Sequence, residues 1–177
     1  MITNDKLKGI KKEIVERAKR DQEMRRRWGE SGFKPNIYNK KIDKENTRYL
    51  KSVVERYGWP SSRQFGKKVV KSAWLIVQHA GHDKTFQWNV LRLLKRQVNS
   101  AITPKLIATL EDRLLVADGR KQKYGTQFHI DLKSFSISVP PIANKKKLNM
   151  LRKQIGLRPF EEQLKRVTSS VAKMRKK

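Results

Sequence analysis

The sequence predicts a mainly α-helical protein: a single helical domain around a buried central helix at about 63–80, with a small β-hairpin at about 123–139. Three observations carry that prediction. Residues 69–82, VVKSAWLIVQHAGH, are apolar on every side of a helical wheel until Gln78 and His79, apart from Lys71 and Ser72. A helix without a polar stripe is a buried one. Most of the remaining chain carries apolar residues at spacings of three and four, and between Gln122 and Val139 the period switches to two.

Leu7, Ile10, Ile14, Val15, Ala18 and Met24 give residues 2–28 one apolar stripe among charges, the pattern of an amphipathic helix. Gly32 and Pro35 mark residues 29–39 as a loop. Asp43, a good N-cap, opens a second helix through Asn46, Leu50, Val53 and Val54 to Tyr57, and Gly58 stops it. Trp59 precedes Pro60 and is pushed out of helical geometry, which makes a corner. Ser61 or Ser62 then caps the central helix, from about Arg63 to His79, with Gly81 as its C-cap.

Asp83 caps the next segment, whose Phe86, Val90, Leu91, Leu93, Leu94 and Val98 form a broad apolar face. Thr103 and Pro104 open a helix with Leu106, Ile107, Leu110, Leu114 and Leu115 inward, ending by Gly119. Phe128, Ile130 and Leu132, then Phe135, Ile137 and Val139, alternate with polar residues and specify the hairpin, which Pro140 and Pro141 end. Leu148, Leu151 and Ile155 make a short helix stopped by Gly156, and Pro159 opens a last helix with Phe160, Leu164, Val167 and Val171 in one stripe. Residues 1–41 thus read as a basic N-terminal helical extension, 42–164 as the helical domain with its hairpin, and 165–177 as a basic helix end and tail.

Charge defines the partner class. Forty-three Lys and Arg against 16 Asp and Glu give a formal charge of +27, a self-repulsion that an anionic partner relieves. Residues 1–41 carry +7, 42–139 carry +10 and 140–177 carry +10, so the density is highest toward the C-terminal end. Phosphate backbones are the common partner of such a chain, and structured RNA together with neighbouring proteins of an assembly is the expectation. The strongest contact candidates are Arg25, Arg26 and Arg27 beside Trp28, then Lys145, Lys146 and Lys147, then Arg175, Lys176 and Lys177. Guanidinium groups beside an indole suit phosphate contact with base stacking; the plainer reading of 25–28 is a solvated helix end with its Trp on the core.

Cysteine is absent, which excludes disulfides, thiolate metal sites and a cysteine nucleophile. The charge-free run 72–81 is half of the roughly 20 residues needed to span a bilayer, so no membrane span is expected. An N-terminus of mixed charge without an apolar run predicts an intracellular protein, cytoplasmic or in an organelle matrix, and not a secreted one. The sequence implies no cofactor and indicates no homo-oligomer.

Several blocks carry the polar residues from which a reaction site would be built. His79 with Gln78, and Arg113, Gln122, Tyr124, Thr126 and Gln127, supply a general base, an anion holder and a Gly125 turn able to aim N–H groups at an oxyanion. Read structurally, Gln78 and His79 satisfy buried backbone groups, Arg113 pairs with Asp112 or another carboxylate, and YGTQ is the tight entry to the hairpin. His79 and His82 with Asp83 have some metal-ligand character, but Gly81 breaks the helix between the histidines and His129 lies on a strand, so no metal site is assigned.

The pieces IDKENTRYLKSVVERYGWP, AWLIVQHA, LEDRLLVADGRKQKYGTQF, PPI and LRKQIGLRPFEEQL, with Phe65-Gly66 between the first two, occur in an order that resembles the uncharacterised, mostly bacterial family called domain of unknown function 6624, over about 43–164. The resemblance implies a shared, mainly helical fold and brings no activity. The family pattern is acidic just after PPI, where this chain has Asn144 and three lysines. The expected function is an RNA-binding structural component of a large, ribosome-like ribonucleoprotein. The alternatives are a hydrolase- or transferase-type enzyme using His79 and YGTQ, and a DNA-binding protein.

Overall fold

Eight helices and one two-stranded sheet make up the computed structural model of the protein, which describes residues 2–96 and 101–174. The mainly helical class is therefore as the sequence predicts. The chain divides into two compact units, Met1–Thr103 and Pro104–Lys177.

In the first unit α1 (Asn4–Glu30) packs on α4 (Lys67–Gln78) and on α2 (Lys40–Tyr57), and α2 also lies on α4. The core is built where their stripes meet: Ile14, Leu50, Val70, Ala73, Ile76 and Val77 are almost inaccessible. The central helix is shorter than its apolar pattern suggests. Ser61 caps a single turn, α3 (Ser62–Phe65), by accepting from Gln64 N–H, and Gly66 at φ +85° then breaks the path before α4 begins. At the other end His79, not Gly81, is the C-cap, and the Val77 carbonyl accepts from the buried Gln87 amide of α5 (Lys84–Arg96) at 2.7 Å. Asp83 caps α5 as expected, accepting from Phe86 N–H at 2.9 Å. Val98, assigned to the same apolar face, lies outside the described residues.

The α2 start is a second correction. Asn39 is the N-cap and accepts from Lys41 N–H at 3.0 Å, while Asp43 lies inside the first turn with its carboxylate buried. Asp43 is drawn inward because Arg25 of α1, 18 residues earlier, reaches it.

In the second unit α6 (Pro104–Ala117) buries Ile107, Leu110, Leu114 and Leu115. It ends in a Schellman motif: Gly119 is at φ +69°, and Arg120 N–H donates back to Leu115 O at 2.8 Å. The short helix α7 (Leu148–Gln154) ends the same way on Gly156, with Leu157 N–H on Arg152 O, and α8 (Phe160–Met174) packs on it. The hairpin forms, but its strands are only β1 (His129–Asp131) and β2 (Ser136–Ser138), paired Ile130 to Ile137 at the centre. Residues 123–127 do not join the ladder, and other groups occupy the N–H donors of Lys123, Tyr124, Thr126 and Gln127.

Candidate functional site

The first unit holds a knot of ionisable side chains from four elements. Asp21 and Arg25 stand four apart on α1, so they share a face, and Arg25 Nε donates to Asp21 Oδ1 at 3.0 Å. Arg25 Nη2 donates to Asp43 Oδ1 of α2 at 2.7 Å, and the Tyr38 hydroxyl from the preceding loop donates to the second oxygen of Asp43. His79, at the end of α4, brings Nδ1 within 2.8 Å of Asp21 Oδ2. Asp21 is 1 % exposed and Asp43 6 %, so each carboxylate needs the compensation the guanidinium provides. Burial works to raise the Asp21 pKa, but the His79 hydrogen bond and the charges of His79 and Arg25 outweigh it and hold the group below its ordinary value. Burial likewise opposes the charge of Arg25, and the carboxylates of Asp21 and Asp43 raise its pKa on balance.

Two neighbours compete for the imidazole Nδ1: Arg25 Nε–H, shared with Asp21 Oδ1, donates toward it at 3.1 Å, while Asp21 Oδ2 at 2.8 Å asks for a proton on it. The shorter contact, to the carboxylate, favours the tautomer protonated on Nδ1. In the neutral ring Nε2 then carries the lone pair, the arrangement of an oriented general base. His79 keeps 22 % of its side chain exposed. Ligand atoms of Asp21, Asp43 and His79 lie within 4.8 Å of one another, the spacing of a cation site, but Arg25 bonds to both carboxylates and would have to leave before a metal ion entered. His82 is exposed and Asp83 is engaged with Lys51 at 3.0 Å and with the α5 cap.

The YGTQ block belongs to the second unit and is organised differently. Asp112, wholly buried on α6, accepts from the backbone N–H groups of Lys123 at 2.6 Å, Tyr124 at 3.1 Å and Thr126 at 3.0 Å, and from the Thr126 hydroxyl at 3.0 Å. Arg152, 1 % exposed on α7, donates to the carbonyls of Tyr124 at 2.6 Å, Gly125 at 3.1 Å and Arg158 at 2.8 Å. Burial pushes the Arg152 pKa down. Gln122, also fully buried, accepts from Gln127 N–H and donates to the Pro140 carbonyl. Gly125 sits at φ +63°, and a Cβ there would meet the Phe160 ring at 2.9 Å, so glycine is required twice over.

In the Gly125 turn that the sequence offered to an oxyanion, the N–H groups of Lys123, Tyr124 and Thr126 are thus bound to Asp112. Gln127 donates to the Thr109 carbonyl, and Arg113 is exposed on α6. Asp112 itself, with Arg152, Asp21 and Asp43, was not singled out from the sequence as a site residue. Asp21, Asp112 and Arg152 nevertheless lie at stripe positions, three or four residues from Ala18, Ala108 and Leu148, and a charge on an apolar stripe is a readable signal.

Among the proposed phosphate contacts, Arg25 is an internal strut. Arg26 and Arg27 are exposed but bonded to Glu23, and Arg26 also to Glu30; those two arginines push the Glu23 pKa down to about 2. Lys145, Lys146 and Lys147 are fully exposed at the entry to α7. Arg175, Lys176 and Lys177 lie outside the described residues. Among described lysines and arginines, all are exposed except Lys11, Arg17, Arg25, Lys51 and Arg152. No described helix is long and apolar enough to cross a membrane.

Helices clamped by buried ion pairs, with a small hairpin and a glycine turn latched by Asp112 and Arg152, define the class of domain. The chain belongs to the family of unknown function DUF6624, whose pattern matches residues 8–175. No curated protein and no solved structure matches it.

Proposed function

We propose that the protein binds RNA through its phosphates as a component of a ribonucleoprotein assembly. The observation that supports this reading is the sorting of charge. Asp21, Asp43 and Asp112 are withdrawn into the interior, while nearly every described lysine and arginine faces solvent. Three buried acids against the buried Arg152 and the largely buried Arg25 leave the surface with essentially the whole formal charge of +27, and such a surface gains affinity from counterion release along a phosphate backbone. Lys145, Lys146 and Lys147, three consecutive exposed lysines, are the phosphate contacts this reading favours.

The test is a salt titration of binding to single-stranded RNA, structured RNA and duplex DNA of equal length, read by fluorescence anisotropy. With about six phosphate contacts, affinity should fall on the order of a hundredfold or more between roughly 50 and 200 mM salt. Affinity that does not respond to salt ends the proposal, and a clear preference for duplex DNA moves it to the DNA-binding alternative.

A second reading, an enzyme of hydrolase or transferase type, draws support from the Asp21–His79 contact, which orients Nε2 as a base. It no longer draws support from the YGTQ turn, whose N–H groups at 123, 124 and 126 are engaged. Turnover of phosphate- and carboxylate-ester substrates that is lost in a folded His79→Ala variant would favour it. Equal rates in variant and wild type would remove it.

A further inference from the structure

The α1–α2 connection closes over a cleft that the charge argument does not use. Trp28, Phe33, Pro35, Tyr38, Lys40 and Lys41 line a depression of about 630 Å³, a size that suits a nucleotide. Its floor is aromatic: the Trp28 ring meets Phe33 edge-on at 5.0 Å and lies tilted against Tyr38 at 4.9 Å. Its rim is cationic, with Lys40 and Lys41 exposed and only Lys41 near a carboxylate, Glu45 at 3.8 Å.

Local structure explains how the floor is built. α1 ends in a Schellman motif, Gly32 N–H on Gly29 O and Phe33 N–H on Trp28 O, and such a cap brings the residue after the glycine onto the residue three from the helix end. That accounts for Phe33 against Trp28. It does not account for Phe33 itself at φ +65°, a conformation that side chains resist and that keeps its ring on the cleft. Tyr38 is pinned from behind by its bond to Asp43 and by the Arg25 guanidinium 5.4 Å from its ring centre. The three rings are only partly buried, and all three line the cleft.

We infer that this cleft is a base-stacking subsite for single-stranded RNA, with a base on the Trp28, Phe33 and Tyr38 rings and flanking phosphates on Lys40 and Lys41. An aromatic cleft can also take a quaternary ammonium group, but here the lysines repel a cation and favour an anionic guest with a flat ring. The inference rests on the RNA-binding reading and adds where and how bases are held.

Anisotropy titrations compare a ten-nucleotide oligouridylate with an abasic oligomer of the same backbone and length, in one buffer. The wild type should bind the base-bearing strand about tenfold more tightly, the scale of one or two stacking contacts. Phe33→Gly, which suits the positive φ and removes the ring, should abolish that preference and leave abasic binding unchanged, whereas Phe33→Tyr should retain it. If Phe33→Gly fails to fold by circular dichroism, the wild-type comparison and Phe33→Tyr decide alone. Equal affinity of the wild type for the two strands overturns the stacking subsite and leaves phosphate binding standing; no binding of either overturns both. Tighter binding of a trimethyllysine peptide than of RNA assigns the cleft to a cation and also overturns the inference.

Discussion

Both units bury ionic groups, and they neutralise them in opposite ways. In the first unit Asp21, Arg25, Asp43, Tyr38 and His79 satisfy one another, side chain to side chain, across α1, α2, α4 and the loop between. In the second, Asp112 and Arg152 turn their charge on the backbone of a single turn, the acid taking its N–H groups and the guanidinium its carbonyls. A charge bound to backbone is committed to holding shape. A cluster of side chains holds its members through single atoms, and His79 keeps 22 % of its side chain exposed while Nδ1 is engaged. The second arrangement is the more rigid of the two.

The sharpest way to break this contrast is Arg25→Met. It strands two buried carboxylates without their guanidinium and should lower stability by about 3–5 kcal/mol in urea unfolding. Asp112→Asn keeps one acceptor oxygen for the turn and should cost less, about 2–3 kcal/mol by the same measurement. If the two losses prove equal, the distinction between the units fails. Acid sharpens it further. Because the Asp21 pKa is lowered in the folded state, its ionisation contributes stability above the ordinary value near 3.8, and that contribution disappears as pH falls through the folded value. The stability gap between wild type and Asp21→Asn should therefore narrow below that pH in thermal melts. The smallest effect separates cap from cluster: Asn39→Ala should cost about 1 kcal/mol, well under the loss from Arg25→Met.

What was legible in the sequence was local. Gly58, Gly119 and Gly156 end helices where they were expected to, because the left-handed geometry that each supplies is a property of one residue. Pro104 and Asp83 begin helices for equally local reasons. The break at Gly66 was hidden by the continuous apolar run that follows it, and Asp43 looked like a cap because nothing nearby in sequence reveals that Arg25 reaches it. The hairpin's alternation is real, but its strands are short because Asp112 and Gln122 hold the N–H groups of Lys123, Tyr124, Thr126 and Gln127. Of the candidate site residues, His79 lies where the pattern puts it, at the end of a buried helix, while its partner Asp21 lies on a stripe read only for its apolar members.

Arg152 enters the chain 27 residues after Gly125, whose carbonyl it holds. During synthesis the turn can be shaped by Asp112 as soon as it emerges, but its carbonyls stay open to water until the α7 arginine follows. The acid clasp is thus complete in sequence before the basic one is, and a chain that stops between these positions holds the turn's N–H partner without its carbonyl partner.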